Sequence, residues 1–437
     1  MRAFVASLLL VCAAALPARA EIEIVPVTSP GGITAWLYEE HTIPMLNIEV
    51  SFQGGAVLDP AGREGAVSLM TGLLEEGSGD LDATGFAEAR EALAARFDFD
   101  ARLDGVGVSV EMLTENRDAS LALLKAALTE PRFDPEAVER VKGQLMSILR
   151  SDATDPNAIA GVRFYADAFP GHPYARPSDG TFESVAALTV EDERAAHAAT
   201  LVRDRLRIAV VGDITAAELG PLLDDVFGGL PESGAPLPPV AAPALSGGLT
   251  VVDLEIPQSI VLFGQPGIAR DDPDFIPAYI LDNILGGGGF GSRLTDEVRE
   301  KRGLTYGIST WLAPNDFGWL YMGQFSSANA RVAEALGIVR AEWRRMAEDG
   351  VTPEELEAAK RYLTGAYPLR FDGNGSIASQ LLNLQIAGLD IDYVNRRNAL
   401  VEAVTVEDIR RVAARLLDPA KLTFVVVGRP EGVEPTN

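Results

Sequence analysis

The chain has 437 residues, 47% of them hydrophobic, and 63 acidic side chains against 37 lysines and arginines, so its formal net charge is −26. This length exceeds what one hydrophobic core usually supports, and two or more domains are expected. The acidic surface argues against binding to nucleic acid or anionic lipid and favours cationic peptides, although solubility alone also accounts for it.

The first twenty residues predict a secretory signal peptide. Met1-Arg2 is followed by an apolar run over residues 4–16 and by Ala-Arg-Ala at 18–20, and these are the three parts of such a signal. We expect cleavage after Ala20 and a periplasmic or secreted mature protein. Cys12, the only cysteine, would leave with the signal, so neither a disulfide nor a thiolate metal site is expected afterwards.

Two kinds of membrane attachment are not expected. No stretch after the signal approaches the ~20 uninterrupted apolar residues that a membrane-spanning helix needs. Val11 is too bulky for the small residue that normally precedes a lipid-bearing cysteine, which argues against a lipid anchor at Cys12.

Periodicity predicts an α+β chain. The predicted strands of the first half are 33–38, 46–52, 106–112 and 206–211, and its predicted helices are 64–76, 84–95, 119–128 and 135–150. The second half repeats the order with strands at 259–264, 318–325 and 422–427. Long helices and consecutive strands without strict βαβ alternation favour helices packed on one face of a largely antiparallel sheet.

The helix predicted at 64–76 contains a stretch whose flanks match a known motif but whose central side chains do not. Five consecutive positions in it are Ser68, Leu69, Met70, Thr71 and Gly72. With its flanks, DPAGREGAV before and LLEEGS after, this stretch resembles the metal helix of the pitrilysin/insulinase zinc peptidases, which carries H-x-x-E-H there. In that family the two histidines bind zinc and the glutamate activates water.

The resemblance also implies the position of a third ligand. The family has a glutamate roughly 75 residues further on, and counting from Gly72 leads to residues 147–149, centred on Ile148. Ser68, Thr71, Gly72 and Ile148 are therefore degenerate positions of the zinc motif, and no metal or other cofactor is expected in this chain. Apolar residues at helical spacing predict that the helix packs in a core instead.

The chain repeats itself with a constant offset. TVED at residues 189–192 recurs at 405–408 and VVG at 210–212 recurs at 426–428, each displaced by 216, while the Pro-Glu of 135–136 recurs at 353–354. A period of this size predicts two whole domains rather than short repeats. We predict an N-terminal domain over 21–229, a proline-rich linker over 230–248 and a C-terminal domain over 249–437.

Two further motifs extend the resemblance over nearly the whole mature chain. GHPY at 171–174 is followed by GT at 180–181, and REKRGLTY occupies 299–306. In the pitrilysin/insulinase family two homologous domains form a half-clamp, and two half-clamps enclose a chamber. The resemblance implies that this chain is one half-clamp and that a homologous, zinc-bearing subunit is its partner.

Arg299 and Tyr306 are the candidate functional residues. In active members of the family an arginine and a tyrosine at this separation hold the substrate backbone and steady the oxyanion, which suits a forked guanidinium and a phenol donor. The resemblance implies that the pair acts in trans on substrate bound to the partner's zinc. The alternative is structural: Arg299 pairs with Asp296 or Glu300, and Tyr306 packs in a strand.

A glycine-rich segment precedes this pair. Gly286, Gly287, Gly288 and Gly289 stand in a row before Phe290, which predicts an irregular, flexible or tightly turned loop. The Lys-Ser or Lys-Thr of a phosphate-binding loop does not follow. The α-subunit of the mitochondrial processing peptidase has a glycine-rich loop at the matching place that contributes to substrate handling, and a plain helix-ending turn is the alternative.

The leading interpretation is a non-catalytic subunit that pairs with a zinc-bearing homologue to make a periplasmic peptidase for peptide substrates, cationic ones among them. A stand-alone peptide-binding or assembly protein of the same fold is the second interpretation. An independent hydrolase is the third, and we find no nucleophile and base pattern for it in the sequence.

Overall fold

The computed structural model describes residues 23–436, so the predicted signal peptide, its cleavage site and Cys12 lie outside the described residues. Two large sheets and a small hairpin at residues 77–82 are present, with helices around them. Within 23–436, every helix is either too short or too polar to cross a membrane. The predicted α+β class with two homologous domains is confirmed.

The first sheet consists of β1 (Val25–Thr28), β2 (Thr34–Glu39), β3 (Met45–Gln53), β6 (Arg96–Ala101), β7 (Gly105–Leu113) and β8 (Leu206–Gly212). The short strands β4 (Gly77–Ser78) and β5 (Leu81–Asp82) form the hairpin. The order across the first sheet is β1-β2-β8-β3-β7-β6, and only the pair of β2 and β8 is parallel.

The second sheet consists of β9 (Gly248–Val252), β10 (Gln258–Pro266), β11 (Ile308–Asn315), β12 (Gly318–Ala328) and β13 (Thr423–Val427). Its order is β11-β12-β10-β13-β9, and only the pair of β13 and β9 is parallel. Read from β9, this is the order β2-β8-β3-β7-β6 of the first sheet. The two domains therefore share one topology, as the internal repeat predicts.

The helices of the first domain are Ala66–Leu73, Ala83–Ala92, Arg117–Thr129, Pro135–Asp152, Pro156–Ala168, Phe182–Ala187, Val190–Thr200 and Ala216–Phe227. Those of the second are Phe275–Asp282, Val332–Asp349, Pro353–Ala366, Asn374–Ile386, Tyr393–Glu402 and Val406–Leu416. Most of them cover one face of their own sheet, where the two main hydrophobic cores lie.

The repeated TVED motif starts equivalent helices. Thr189 and Thr405 are the N-caps, and each accepts a hydrogen bond from the backbone N–H of the aspartate three residues later, Asp192 or Asp408. The aspartate side chain bonds back to the threonine N–H in both copies, which completes a capping box. The TVED repeat therefore corresponds to the same local hydrogen bonds at the start of the same helix in both domains.

The repeated VVG motif ends equivalent central strands. Gly212 has a φ of +138° and Gly428 a φ of +144°, a backbone conformation that L side chains rarely adopt. A Cβ at Gly212 would lie 2.1 Å from the carbonyl oxygen of Met45, and one at Gly428 would lie 2.3 Å from Oγ of Ser259. Both copies need glycine here because φ is positive and because another chain segment comes too close for a Cβ.

Each domain covers the second face of the other domain's sheet. The helix Pro156–Ala168 of the first domain packs on β10 and β13, and the helix Asn374–Ile386 of the second domain packs on β3 and β8. Their starting residues differ by 218, the offset of the Pro-Glu repeat. Strands covered on both faces read as continuous apolar runs, which explains the sequence of β8 and β13.

The GHPY motif joins the two domains. The Tyr174 hydroxyl donates to Asp104 Oδ1 at 2.6 Å and accepts from the backbone N–H of Phe317 at 2.8 Å. His172 Nδ1 accepts from the Tyr174 N–H at 3.2 Å, and Nε2 lies 3.1 Å from the carbonyl oxygen of Pro239. Both ring nitrogens of His172 therefore lie at backbone groups.

Besides the hairpin strands β4 and β5, four strands are missing from the predicted set: β1, β6, β9 and β11. They are the outer strands of the two sheets. An outer strand pairs on one side only and shows a mixture of half-buried and exposed residues, so its sequence carries less of the apolar signal than a central strand does.

Candidate functional site

The helix Ala66–Leu73 carries the degenerate metal motif. It begins after Gly65, whose φ is +92°. The carboxyl group of Asp59 accepts hydrogen bonds from the backbone N–H groups of Gly65 at 2.7 Å and Val67 at 2.9 Å. These contacts satisfy donors that the first turn of a helix leaves unpaired.

The hydroxyl groups at two former motif positions are used by the fold. Ser68 Oγ donates to Asp179 Oδ1 at 2.9 Å, and Thr71 Oγ1 donates to the carbonyl oxygen of Val67 at 2.7 Å. Thr71 is only 2% exposed. Neutral hydroxyl groups are poor zinc ligands, and these two already donate hydrogen bonds within the chain.

The remaining motif positions offer no donor atom. Gly72 has no side chain, and a Cβ there would lie 3.0 Å from Cγ1 of Val141 on the neighbouring helix Pro135–Asp152. Ile148 lies two turns further along that helix and is 50% exposed. Among residues 23–436 no three His, Cys, Asp or Glu side chains form a group that could hold a metal ion. The side chains at the motif do not fit zinc.

Two buried acids beside this helix carry no recognisable signal in the sequence. Glu193, on the helix Val190–Thr200, is 0% exposed, and within the described residues neither carboxyl oxygen has a hydrogen-bond partner. Burial raises the pKa of Glu193 to about 9, with Asp192 and Asp59 adding to the shift and Lys142 opposing it. Burial also raises the pKa of Asp59 to about 7, against its two backbone donors. Near neutral pH Glu193 is a protonated group of the core.

Arg299 and Tyr306 lie before the outer strand β11. The Arg299 guanidinium is 4.4 Å from the ring centroid of Phe290, and its Nε is 3.4 Å from Oε1 of Glu300. The predicted pairing with Glu300 is therefore present. Tyr306 is 83% exposed and precedes the strand, so it does not pack as a strand residue.

The glycine-rich segment is more regular than the sequence predicts. Asn283–Gly287 forms one wide helical turn of the π type, so the expectation of an irregular loop is wrong for Gly286 and Gly287. A Cβ at Gly286 would lie 2.5 Å from Oγ1 of Thr310 on β11. Glycine lets this turn pack directly against the outer strand.

The last two glycines shape the turn that follows. A Cβ at Gly288 would lie 2.4 Å from the carbonyl oxygen of Asn283, and Gly289 has a φ of +61°. The turn presents Phe290, which is 72% exposed, to the guanidinium of Arg299. The structure thus joins two sequence motifs, the glycine segment and the arginine, into one surface feature.

The two groups of candidate residues belong to different domains. Leu69 and Met70, within the degenerate motif, lie in the first-domain core. Leu294 and Val298, on the segment that carries Arg299, lie in the second-domain core.

Comparison with known proteins identifies the class to which this fold belongs. Residues 187–363 match the family described as Peptidase M16 inactive domain. The crystal structure of a peptidase M16 inactive domain from Pseudomonas fluorescens superposes with a TM-score of 0.88 at 27% identity, covering 95% of this chain and 100% of that one.

Curated relatives agree with this class. The non-peptidase homolog YmxG of Helicobacter pylori is 26% identical over 393 residues, which is 90% of this chain and 91% of the relative. An uncharacterized zinc protease of Mycobacterium leprae is 25% identical over 403 residues, 90% of this chain and 88% of the relative. These matches confirm the predicted resemblance to the pitrilysin/insulinase zinc peptidases, and residues 187–363 are similar to the inactive-domain type.

Proposed function

We propose that this chain is a non-catalytic subunit of a heterodimeric periplasmic zinc peptidase. It contributes one wall of the chamber and the residues Arg299 and Tyr306 to a homologous partner, and the zinc belongs to that partner. The observation that carries the proposal is the exposure of Tyr306, seven residues after an Arg299 that stacks on Phe290, on a chain whose own metal motif offers no ligand.

The fold of the degenerate helix supports the first half of the proposal. The helix keeps its start, its packing and its place, while each motif position holds a hydroxyl group with another partner, a glycine or an apolar residue. Loss of the ligands without loss of the helix is expected when a partner supplies the metal and this chain supplies shape.

The surroundings of Arg299 support the second half. Stacking on Phe290 holds the guanidinium while leaving its outer donors for peptide carbonyl groups. Tyr306 is exposed on a monomer although a tyrosine gains from burial. An exposed phenol and a positioned arginine seven residues apart in the chain suit a surface that another subunit and its substrate cover.

The test uses the heterodimer made with a homologue that carries H-x-x-E-H. Tyr306→Phe removes one hydroxyl and leaves assembly intact, and we expect kcat to fall ~10²-fold if that hydroxyl stabilises an oxyanion. Arg299→Ala is expected mainly to raise KM, because it removes a group that aligns the substrate. Both are measured by peptide hydrolysis after size-exclusion chromatography has verified the complex.

A matched control is Tyr362→Phe, because Tyr362 is 59% exposed on the helix Pro353–Ala366 and has no assigned role. It should assemble and cut at the unmodified rate. If Tyr306→Phe and Arg299→Ala also assemble and cut at that rate, the subunit supplies no chemistry, and a scaffold or peptide-binding role of the same fold replaces the proposal.

A further inference from the structure

A cavity of about 830 Å³ lies between the two domains, and its lining includes neither the degenerate motif nor Arg299 and Tyr306. Gln53 and Arg207 reach it from the first domain, and Val240 reaches it from the segment between the domains. The remaining wall comes from the second domain, chiefly the outer strand β11 and the helices Phe275–Asp282, Asn374–Ile386 and Tyr393–Glu402. Its volume lies within the range of small-ligand sites.

Four guanidinium groups face this cavity in a chain with a net charge of −26. They belong to Arg207, Arg270, Arg370 and Arg397. In the described part of the chain none of the four forms an ion pair with a carboxylate, although most other arginines do. A concentration of unpaired positive charge is unusual on so acidic a protein.

Arg397 is the most deeply placed of the four, with 5% exposure. Its Nη1 donates to the carbonyl oxygen of Leu363 at 2.8 Å and to Oδ1 of Asn398 at 3.0 Å. Its guanidinium lies 4.5 Å from the ring centroid of Tyr367. Neutral groups position this side chain, and its charge is left without a compensating anion, which is costly in a buried place.

Arg270 converges on the same region. Its Nη2 donates to the hydroxyl of Tyr393 at 3.2 Å, and its guanidinium lies 4.2 Å from the ring centroid of Phe275. Tyr393 and Arg397 are four residues apart on one helix and so share a face. Arg270, through Tyr393, and Arg397 therefore both reach the cavity at one face of this helix.

A tyrosine hydroxyl gives a second, independent indication of a ligand. Tyr367 is 8% exposed and lines the cavity, and its hydroxyl is buried with no hydrogen-bond partner among residues 23–436. Burial raises the pKa of Tyr367 to about 12, so the group keeps its proton and can donate it. Buried polar groups are almost always paired, and an unpaired one signals a missing partner.

Three carboxyl groups also line the cavity, and within the described residues none of them forms an ion pair with the four guanidinium groups. Thr310 Oγ1 donates to Oδ1 of Asp282 at 2.6 Å, and burial raises the pKa of Asp282 to about 6. Asp316 accepts from Nε2 of Gln53 at 2.5 Å. Asp271 is exposed. Arginines outnumber carboxyl groups on the cavity wall by four to three.

We propose that this cavity binds a carboxylate that is joined to an apolar or aromatic group, as in the C-terminal residue of a peptide. Arg270, Arg397 and the Tyr367 hydroxyl hold the carboxylate, and Trp311, Trp319 and Leu312 offer an apolar wall to the body of the ligand. The exposed Arg370 stands at the rim. The site needs neither the partner subunit nor Arg299 and Tyr306.

Calorimetric titration of the full mature chain tests the proposal. The probes are N-acetyl-Gly-Phe as the free acid, the same compound as its C-terminal amide, N-acetyl-phenylalanine and inorganic phosphate. We expect the free acid to bind about 10-fold or more tightly than the amide, because an ionised acceptor strengthens each hydrogen bond. Binding of N-acetyl-phenylalanine equal to that of the dipeptide assigns the site to free acids, and weaker binding assigns it to peptide C-termini.

Variants locate the binding in the cavity. Tyr367→Phe should weaken binding of the free acid about 10-fold. It should not lower the melting temperature, because the hydroxyl has no hydrogen-bond partner to lose. Arg270→Gln should also weaken binding of the free acid. Arg340→Gln is the matched control, since the Arg340 guanidinium lies 4.7 Å over the Phe424 ring outside the cavity. Equal binding of acid and amide, phosphate binding as tight as that of the acid, or unchanged affinity in both cavity variants overturns the proposal.

Discussion

Glu193 is a carboxyl group that the fold keeps neutral. It sits where the helix Val190–Thr200 packs on the degenerate metal helix, with no hydrogen-bond partner in the described residues for either oxygen. The aspartate beside it in the sequence, Asp192, forms the capping box and points outward. Asp192 and Glu193 are neighbours in the sequence with opposite roles. The Asp192 carboxylate stabilises a helix end, whereas the Glu193 carboxyl group stabilises the core only while it is protonated.

The pH dependence of stability follows from Glu193. Its pKa rises from 4.5 in the unfolded chain to about 9 in the folded one, so the folded state holds one more proton between these values and the free energy of unfolding falls as pH rises through this window. We expect Glu193→Gln to flatten that fall, as measured by urea unfolding between pH 5 and about 9.

Asp59 contributes a slope of the same sign over a narrower window that ends at about pH 7, because its pKa is also raised. Glu191→Gln, an exposed change two residues away, is the control and should leave the slope as it is in the unmodified chain. A slope in Glu193→Gln equal to that of the unmodified chain would show that the acid is not buried as described.

At the scale of the element, the two domains repeat their helix starts and strand ends more faithfully than their interiors. Capping boxes and left-handed glycines recur at fixed offsets because each satisfies a local demand of the backbone. The metal helix shows the converse: its start and its buried face persist after the polar groups that defined its chemistry are gone.

Two glycines, one at a strand end and one inside a helix, are expected to change the free energy of unfolding in opposite directions when replaced by alanine. Gly212→Ala should lower the free energy of unfolding by about 1–3 kcal/mol or more, because the new Cβ meets the Met45 carbonyl at 2.1 Å and φ is +138°. Gly143→Ala, in the exposed middle of the helix Pro135–Asp152 with nothing within 4 Å, should raise it by roughly 0.5–1 kcal/mol. Thermal unfolding of both variants measures the difference, and a neutral Gly212→Ala would contradict the assigned strand end.

On the scale of the whole molecule, each sheet is completed by a helix from the other domain. Phe164, on the helix Pro156–Ala168, is fully buried against the second sheet, where Gly264 leaves room for its ring. Leu381, on the helix Asn374–Ile386, is fully buried against the first sheet. The halves of the duplicated chain are therefore linked through cores and not through the connecting segment alone.

This exchange predicts a single cooperative unfolding transition. Phe164→Ala should cost about 3–5 kcal/mol and Leu381→Ala about 2–5 kcal/mol, and each should lower the stability of both domains together. Hydrogen exchange read separately on β8 and β13 measures this. If Phe164→Ala weakened protection in one domain and left the other unchanged, the domains would fold independently.

Zinc content is the second whole-molecule test. The purified chain should hold no stoichiometric zinc, because the side chains at Ser68, Thr71, Gly72 and Ile148 cannot bind it, and the verified heterodimer should hold one zinc per pair. Metal analysis after mild chelation measures both. About one zinc retained on the isolated chain would contradict the account of the lost site.

The sequence alone determined the features that depend on neighbours along the chain. The central strands are recognisable because β8 and β13 are apolar on both faces, and the duplication is recognisable because capping boxes and glycines obey local rules. The loss of the zinc motif is visible at Ser68, Thr71 and Gly72 without any structure, since a missing donor atom needs no geometry.

The tertiary structure decided what depends on residues far apart. The outer strands β6 and β11 carry a weak signal, the π turn at Asn283–Gly287 relies on close packing against Thr310, and the burial of Glu193 relies on a helix from elsewhere in the domain. The cavity between the domains gathers Arg207 and Arg397, which are almost two hundred positions apart. Burial and charge pairing are set by partners that only the folded chain brings together, and no local pattern encodes them.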